Sequence, residues 1–205
     1  ILASSEEGDR VLVLARKQFG RSARDFLRSL GPDGEARSEV VIGDVCSMDL
    51  GLAGEEFSDL AARTTTIHHL AGIYFMGVDR ETARTVNVEG TRGVIAFAND
   101  CSRLRRLCHW STAFVSVKRK GVILEEELDA GQGFNNIWEE TKFEAEALAR
   151  AAQELLPVTV LRPGVIVGDS RTGEIDEFDG PHALITSALA GKRGIRMPLP
   201  ARGSA

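Results

Sequence analysis

The sequence has few cysteines, a single tyrosine and no long apolar run. Its three cysteines, Cys46, Cys101 and Cys108, are an odd number without metal-ligand spacing, which predicts buried, reduced thiols in a cytoplasmic protein. No apolar stretch approaches the ~20 residues that cross a bilayer, and no signal peptide is visible. The net charge of −5, without a basic stripe, argues against nucleic-acid and membrane-surface partners. Tyr74 is the only phenol in the chain.

Short apolar runs rich in branched residues alternate with helical stretches along the chain. We predict strands at 11–14, 39–42, 66–70, 106–110 and 158–161, and helices at 22–30, 55–62, 80–99 and 137–154. Ser22 is the expected cap of the first helix, and Gly31-Pro32 its expected end. Continuous apolar strands separated by helices are typical of parallel strands buried on both faces. The predicted fold class is therefore α/β, with a doubly wound parallel sheet.

Ligands of an open α/β sheet bind beyond the carboxyl ends of its strands, so the residues after each run are the candidate site. Arg16 follows the first run and is suited to the 2′-phosphate of NADP, or is a solvated surface residue. Asp44 follows the second run and either accepts a hydrogen bond from adenine or caps the next turn. After the third run, the small residues of Leu70-Ala71-Gly72 allow a flat cofactor to lie against the backbone.

Further candidates follow the fourth run and lie on two helices. Ser111-Thr112 offers hydroxyls that either orient a substrate carbonyl or cap a turn. Asn87 is either a satisfied core amide or the orienter of a catalytic side chain, and Gly90 predicts close packing on its face of the helix. Trp138 and Lys142 stand four apart and share a helix face, where a buried lysine can hold a ribose.

The dipeptide His68-His69 does not predict a metal site. Adjacent residues on a strand point to opposite faces, so these two side chains cannot hold one ion together. We therefore expect no metal.

Together the motifs resemble the extended short-chain dehydrogenase/reductase family. In chain order they are Gly43-Asp44, His69-Leu70-Ala71, Asn87-Val88-Glu89-Gly90-Thr91, Ser111-Thr112-Ala113-Phe114-Val115, Thr141-Lys142-Phe143-Glu144-Ala145-Glu146 and Leu161-Arg162-Pro163-Gly164. The string from Val167 to Glu174, with Asp179-Gly180-Pro181, is similar to the male sterility-like branch that contains thioester reductases and fatty acyl-CoA reductases. The resemblance runs from Val11 to about Pro181.

The resemblance implies an NADP(H)-dependent oxidoreductase acting on an acyl group carried by coenzyme A or an acyl-carrier protein, and releasing an aldehyde or alcohol. It implies that Thr112 bonds the reacting carbonyl oxygen, that Lys142 holds the nicotinamide ribose and that Asn87 supports them. The residues that it implies for the rest of the cofactor are Arg16 for the 2′-phosphate, Asp44 and Val45 for adenine, Leu70, Ala71 and Gly72 for lining, and Pro163 for the nicotinamide pocket.

The sequence departs from the family where the catalytic tyrosine is expected. Trp138 occupies that position, four residues before Lys142. An indole N–H is a hydrogen-bond donor without the acidity of a phenol, whose pKa is about 10. General acid assistance is worth about 10²- to 10⁴-fold, so we expect impaired hydride-transfer chemistry.

A second departure is the lack, before Val11, of the strand and glycine-rich turn that hold the pyrophosphate in such folds. The missing strand is the central one of the order 3-2-1-4-5-6, so we expect weak dinucleotide binding and a chain that is a fragment. We assign residues 1–205 to one partial NAD(P)-binding domain, with 164–205 as the start of an incomplete substrate-binding region.

Two other functions fit the sequence. Trp138 favours a non-catalytic relative that serves as a binding or interaction module. Another extended family member, such as a sugar-nucleotide epimerase or dehydratase, shares most of the motifs, but the string Ser170-Arg171-Thr172-Gly173 argues against it.

Overall fold

A computed structural model describes residues 1–2, 5–6, 8–74, 77–175, 182 and 185–186. The chain divides into two compact units, Ile1–Pro163 and Gly164–Ala205. The strands of the first unit are β1 (Val11–Ala15), β2 (Ser38–Ile42), β3 (Thr66–His69), β4 (Arg106–Trp110) and β5 (Val158–Leu161). Its α-helices are α1 (Gly20–Ser29), α2 (Pro32–Ala36), α3 (Gly54–Arg63), α4 (Arg80–Arg84), α5 (Gly90–Asp100) and α6 (Ile137–Ala151).

The strands form two parallel sheets, with orders β1-β2 and β3-β4-β5. Leu12 is the partner of Glu39 in the first sheet, and His69 is the partner of His109 in the second. Among the described residues, no strand pairs with β1 and β3 to join the two sheets. Parallel strands connected through helices confirm the predicted α/β fold class.

One apolar core underlies both sheets. Val41 of β2 and Leu107 of β4 are buried in the same cluster as Phe97 of α5, and Phe57 of α3 packs edge-on against Phe97 with ring centroids 5.3 Å apart. Leu12 of β1 packs against that cluster as well. Val41 and Leu107 are therefore buried as the sequence pattern predicts, whereas every residue of β1 and of β5 is only half-buried.

Two helix predictions need correction. The first helix begins at Gly20, after a 3₁₀ turn at Lys17–Phe19, so Ser22 lies inside it and is not its cap. The predicted helix 80–99 is interrupted by a π-helical turn at Thr85–Glu89. That turn contains buried Asn87, whose side chain bonds the backbone of another segment, and such turns often occur at functional sites.

Gly90 and Gly93 allow α5 to lie close to the segment that follows β2. A Cβ at Gly90 would stand 3.0 Å from Val45 Cγ2, and one at Gly93 would stand 2.6 Å from the Val45 carbonyl oxygen. The close packing predicted at Gly90 is therefore present, and it fixes the position of Val45.

The described part of the second unit contains a turn closed by Asp169. The Asp169 side chain accepts hydrogen bonds from the backbone N–H groups of Arg171 and Thr172, at 2.8 and 2.7 Å. Gly168 has φ of +105°, and a Cβ there would stand 2.7 Å from the Glu174 carbonyl oxygen. Residues 176–181 and 187–205, which include the predicted Asp179-Gly180-Pro181, lie outside the described residues.

Among the described residues, no helix is long and apolar enough to cross a membrane. Cys101 and Cys108 are buried free thiols, as predicted, whereas Cys46 is only half-buried. Its Sγ donates to the Thr85 carbonyl oxygen at 3.5 Å. Burial raises the pKa of the Cys46 thiol to about 11, and the nearby negative charge of Asp44 acts in the same direction.

Candidate functional site

The carboxyl end of β4 is tied to the end of β5. The Ser111 N–H donates to the Leu161 carbonyl oxygen at 2.8 Å, and the Ala113 N–H donates to the Pro163 carbonyl oxygen at 3.0 Å. Thr112 lies between these two bonds and is buried, and its side-chain oxygen accepts a hydrogen bond from the Phe114 N–H. Thr112 thus caps the short 3₁₀ turn Ala113–Ser116, and its position is fixed by the sheet.

Lys142 of α6 reaches the same strand end. Its Nζ donates to the Trp110 carbonyl oxygen at 2.6 Å, one residue before Ser111. Burial lowers the pKa of Lys142 to about 8, although the nearby Glu146 carboxylate acts to raise it. The structure therefore brings Lys142 to the end of the strand that carries Thr112.

Trp138 stands one helical turn before Lys142 on α6. It is half-buried, and its ring packs against Phe114 with ring centroids 6.0 Å apart. The Trp138 indole and the Phe114 phenyl ring therefore lie next to the turn that Thr112 caps.

Asn87 joins the loop after β3 to α6. Its Oδ1 accepts from the Ile73 N–H at 2.8 Å, while its Nδ2 donates to the Ile73 carbonyl oxygen at 3.2 Å and to Thr141 Oγ1 at 2.9 Å. A Cβ at Gly72 would stand 3.2 Å from Asn87 Oδ1, so the backbone approaches this amide closely. Asn87 is therefore a satisfied buried amide that also bonds Thr141, the residue next to Lys142, and its role in orienting a catalytic side chain stays a prediction.

The loop that Asn87 holds offers an open surface. Leu70, Ala71 and Gly72 are exposed, and 60% of the Leu70 surface is accessible. An exposed backbone with small side chains at the carboxyl end of a parallel strand is suited to contact with a flat ligand.

The ends of β1 and β2 form the other part of the site. The Gly43 N–H donates to the Ala15 carbonyl oxygen at 3.0 Å, which places Arg16 beside Gly43-Asp44. The exposed Arg16 guanidinium lies over the Phe19 ring, 5.2 Å from its centroid. Asp44 Oδ1 accepts the Cys46 N–H at 3.0 Å, so this carboxylate caps the following turn.

A buried carboxylate that the sequence analysis did not single out as a site residue lies beside Ser111. Glu146 is fully buried and accepts from Ser111 Oγ at 2.5 Å, Arg150 Nε at 2.8 Å and Arg162 Nη2 at 2.6 Å. Burial acts to raise the pKa of Glu146, but hydrogen bonds from Arg162, Ser111 and Arg150 outweigh it and hold the pKa below its ordinary value. The signal was its spacing, four residues after Lys142 and four before Arg150.

The two arginines extend this network into the connection between β4 and α6. Arg150 donates to the Glu125 and Glu126 carbonyl oxygens at 2.6 and 2.8 Å, and Arg162 donates to the Glu127 carbonyl oxygen at 2.7 Å. Glu146 therefore stands at the centre of contacts between α6, both strand ends and that connection.

His69 and His109 form a buried pair on the sheet, with ring centroids 5.6 Å apart. His69 Nε2 shares a hydrogen bond with Thr91 Oγ1 at 2.9 Å, whereas neither ring nitrogen of the buried His109 has a hydrogen-bond partner among the described residues. Burial lowers the pKa of His69 to about 4 and that of His109 to about 3, and Lys142 acts in the same direction on both.

This pair predicts a loss of stability in mild acid. The pKa values of both histidines are lower in the folded chain than the value of about 6.5 expected in the unfolded chain, so the unfolded state binds more protons below pH 6.5. The free energy of unfolding should therefore fall from pH 6.5 towards 4.5, by up to about 1.4 kcal/mol per pH unit for each histidine. Urea unfolding at several pH values measures this slope. His109→Phe removes one of the two histidines and should roughly halve the slope, and an unchanged slope in that variant would exclude this origin.

His68 points away from this pair. Trp110 Nε1 donates to His68 Nδ1 at 3.4 Å, whereas His69 contacts Thr91. The two adjacent side chains therefore bond different partners on opposite faces of β3.

The residues fit the two ends of a dinucleotide. Arg16 and Asp44 follow the ends of the paired strands β1 and β2, and Lys142 bonds the last residue of β4, two residues before Thr112. Gly72 approaches Asn87 closely. No glycine-rich turn for a pyrophosphate is present among the described residues, so the fit covers the adenine and nicotinamide ends only.

Comparison with known proteins identifies the family. The sequence model described as male sterility protein, a family of NAD-binding domains, matches residues 1–200. The chain belongs to this family, and this confirms its predicted place among the extended short-chain dehydrogenases/reductases, in the branch of thioester reductases and fatty acyl-CoA reductases.

Individual relatives agree with this placement. Fatty acyl-CoA reductase wat of Drosophila melanogaster is 25% identical over 219 residues, which cover 93% of this chain and 42% of that protein. The terminal R domain from the myxalamid PKS-NRPS biosynthetic pathway superposes with a TM-score of 0.77 at 29% identity, over 88% of this chain and 48% of that one. The chain therefore spans less than half the length of these relatives. UDP-glucuronic acid 4-epimerase from Bacillus cereus, at 19% identity and a TM-score of 0.60, shares the fold.

Proposed function

We propose that this chain carries the catalytic part of an NADP(H)-dependent reductase that acts on acyl thioesters of coenzyme A or of an acyl-carrier protein. The observation that carries the proposal is the 2.6 Å hydrogen bond from Lys142 Nζ to the Trp110 carbonyl oxygen, which places the lysine at the strand end occupied by Thr112. The similarity to a fatty acyl-CoA reductase and to an R domain supports the thioester as substrate class.

Each residue has a defined task in this proposal. The bound dinucleotide would supply a hydride to the carbonyl carbon. The Thr112 hydroxyl donates to the carbonyl oxygen and stabilises the negative charge that develops there. The Lys142 ammonium donates to ribose hydroxyls while the Trp110 carbonyl oxygen holds it in place. Leu70, Ala71 and Gly72 line the flat face of the cofactor, and Pro163 shapes the nicotinamide pocket.

Asn87 has a supporting task. It ties Ile73, at the end of the lining loop, to Thr141, the neighbour of Lys142. The loop and the lysine are thereby held in one arrangement before any ligand binds, which lowers the ordering cost of binding.

Thiol release tests the proposal. The chain is incubated with millimolar NADPH and a long-chain acyl-CoA, and free thiol is measured together with NADPH oxidation. We expect one thiol released per NADPH consumed, and a loss of at least ten-fold in Lys142→Met. Lys118→Met, which changes an exposed lysine, is the control and should leave the rate unchanged. Equal rates in wild type and Lys142→Met would contradict the proposal.

Arg16 predicts a preference for NADP over NAD. Its guanidinium is exposed at the end of β1 and is steadied by Phe19, and Asp44 is engaged in capping a turn instead of occupying the position of an NAD-selective acid. Arg16→Ala should weaken NADPH binding about ten-fold or more and leave NADH binding nearly unchanged, because one charge-assisted contact to a phosphate is lost. Fluorescence titration with both nucleotides measures the two affinities, and an equal loss for both would contradict this role.

Trp138 favours a second candidate function, a non-catalytic binding module. A domain that binds an acyl thioester without reducing it needs a binding site for the acyl group, but it does not need the proton donor whose position Trp138 occupies. In that case acyl-CoA would bind, with no NADPH consumed by the wild-type chain or by Trp138→Tyr. Calorimetry with acyl-CoA, run beside the thiol assay, separates the two functions.

A further inference from the structure

Trp138 occupies the position at which the resemblance to the reductase family implies a catalytic acid. It stands one turn before Lys142, and its ring contacts Phe114, two residues after Thr112. An indole N–H can donate a hydrogen bond to a negatively charged oxygen, but it cannot transfer its proton at neutral pH. The site therefore offers stabilisation of charge at this position without delivery of a proton.

The neighbouring polar groups do not replace the missing acid. The Ser111 hydroxyl donates to the Glu146 carboxylate, and the Thr112 hydroxyl is an alcohol, about as weak an acid as water. His69 and His109 are neutral at pH 7 because burial lowers the pKa of each, so they carry no dissociable imidazolium proton. The Lys142 ammonium gives one N–H to the Trp110 carbonyl oxygen, and in the proposed function its other N–H groups hold the ribose hydroxyls and not the substrate oxygen.

The two reductions of an acyl group differ in their need for a proton. When a hydride adds to the carbonyl carbon of a thioester, the oxygen becomes an oxyanion. The carbonyl re-forms as the C–S bond breaks, and the sulfur leaves with the bonding pair as a thiolate. A thiolate is a good leaving group, because a thiol has a pKa of about 8.5 and takes its proton from water. In sum, thioester, reduced dinucleotide and one proton give aldehyde, thiol and oxidised dinucleotide.

The aldehyde has no such leaving group. Addition of a hydride to its carbonyl carbon leaves an alkoxide, which is about as basic as hydroxide and must receive a proton at oxygen. In sum, aldehyde, reduced dinucleotide and one proton give alcohol and oxidised dinucleotide. A general acid is therefore needed at the substrate oxygen in the second reduction and not in the first.

We propose that Trp138 restricts this site to the reduction of an acyl thioester to the aldehyde, and prevents the further reduction of the aldehyde to the alcohol. The inference rests on the proposed thioester reductase function and specifies the aldehyde as its product. The loss of rate that the missing tyrosine predicts then affects the reduction of the aldehyde. The reduction of the thioester is supported by Thr112 and the indole N–H, which stabilise the negative charge on the carbonyl oxygen.

Product analysis with three chains tests the proposal. Wild type, Trp138→Tyr and Trp138→Phe are each given saturating NADPH with acyl-CoA, and separately with the aldehyde of the same length. Wild type should release aldehyde and thiol in equal amounts and reduce the free aldehyde at least 100-fold more slowly than the thioester. Trp138→Tyr should accelerate aldehyde reduction about 100-fold or more and change thioester reduction less than about ten-fold. Trp138→Phe, without the N–H, should slow thioester reduction.

Alcohol formed by wild type at a rate comparable to thioester reduction would overturn the proposal. Two further experiments then identify the proton donor. Loss of alcohol formation in Tyr74→Phe assigns the donor to Tyr74, and a rate of alcohol formation that falls as the pH rises through about 8 assigns it to Lys142. No thiol release by wild type or by Trp138→Tyr would instead refute the thioester reductase function itself.

Discussion

Glu146→Gln should lower the free energy of unfolding by about 3–5 kcal/mol, the largest loss expected from a single change near the site. The carboxylate is fully buried and balances the guanidinium groups of Arg150 and Arg162, whose side chains are 24% and 15% exposed. Glutamine keeps the size of the side chain and removes the charge, so two partly buried cations lose their buried counterion. Urea denaturation at pH 7 measures the change.

Glu140→Gln on the same helix is the matched control. Glu140 pairs with Arg80 at 2.8 Å, but 58% of the Arg80 side chain and 30% of the Glu140 side chain are exposed. A solvent-exposed pair contributes about 0–1 kcal/mol, so this variant should unfold nearly as the wild type does. Equal losses in both variants would mean that burial does not distinguish the two carboxylates.

Thr112→Val should lower kcat for thioester reduction by about 10²- to 10³-fold, the cost of removing one hydrogen-bond donor to a developing oxyanion. Valine has nearly the same shape, and the bond lost from the fold is the one that Thr112 Oγ1 accepts from the Phe114 N–H. That bond caps a four-residue turn, so the free energy of unfolding should change by only about 1 kcal/mol. Initial rates of thiol release at saturating NADPH measure the effect.

Thr112→Ser provides the comparison for this variant. Serine retains the hydroxyl and loses a methyl group, so the rate should stay within about ten-fold of wild type. If valine and serine lower the rate equally, the methyl packing of Thr112 matters and its hydroxyl does not, which would remove Thr112 from the proposed chemistry.

The parallel sheet and the main positions of the site follow from local sequence patterns. Branched apolar runs predict the strands, and the carboxyl ends of parallel strands necessarily lie at one edge of a sheet. For this reason Thr112 could be assigned to that edge, whereas Lys142, on a helix, was assigned to it only by the resemblance to the family. The structure brings Lys142 to the Trp110 carbonyl oxygen. The spacing of Trp138 and Lys142 on one helix face is equally local.

The features that the sequence did not reveal depend on long-range contacts. Glu146 looks like any helical glutamate until α6 packs on β5 and brings Arg162 to it from sixteen residues away. The π-helical turn at Thr85–Glu89 interrupts a pattern that fits a continuous helix, because Asn87 bonds Ile73 and Thr141. The pairing of His69 with His109 is set by the register of two strands forty residues apart.

Protection of Lys142 from acetylation tests the central claim most directly. At pH 8 a lysine with a pKa of about 8 is about half deprotonated, and the deprotonated amine is the form that reacts with an acetylating reagent. Mass spectrometry of digested chain, with and without millimolar NADPH, follows Lys142 beside the exposed Lys118 and Lys120. We predict that NADPH slows acetylation of Lys142 several-fold and leaves the other two unchanged. Equal acetylation of Lys142 with and without NADPH would contradict its place in a nicotinamide site.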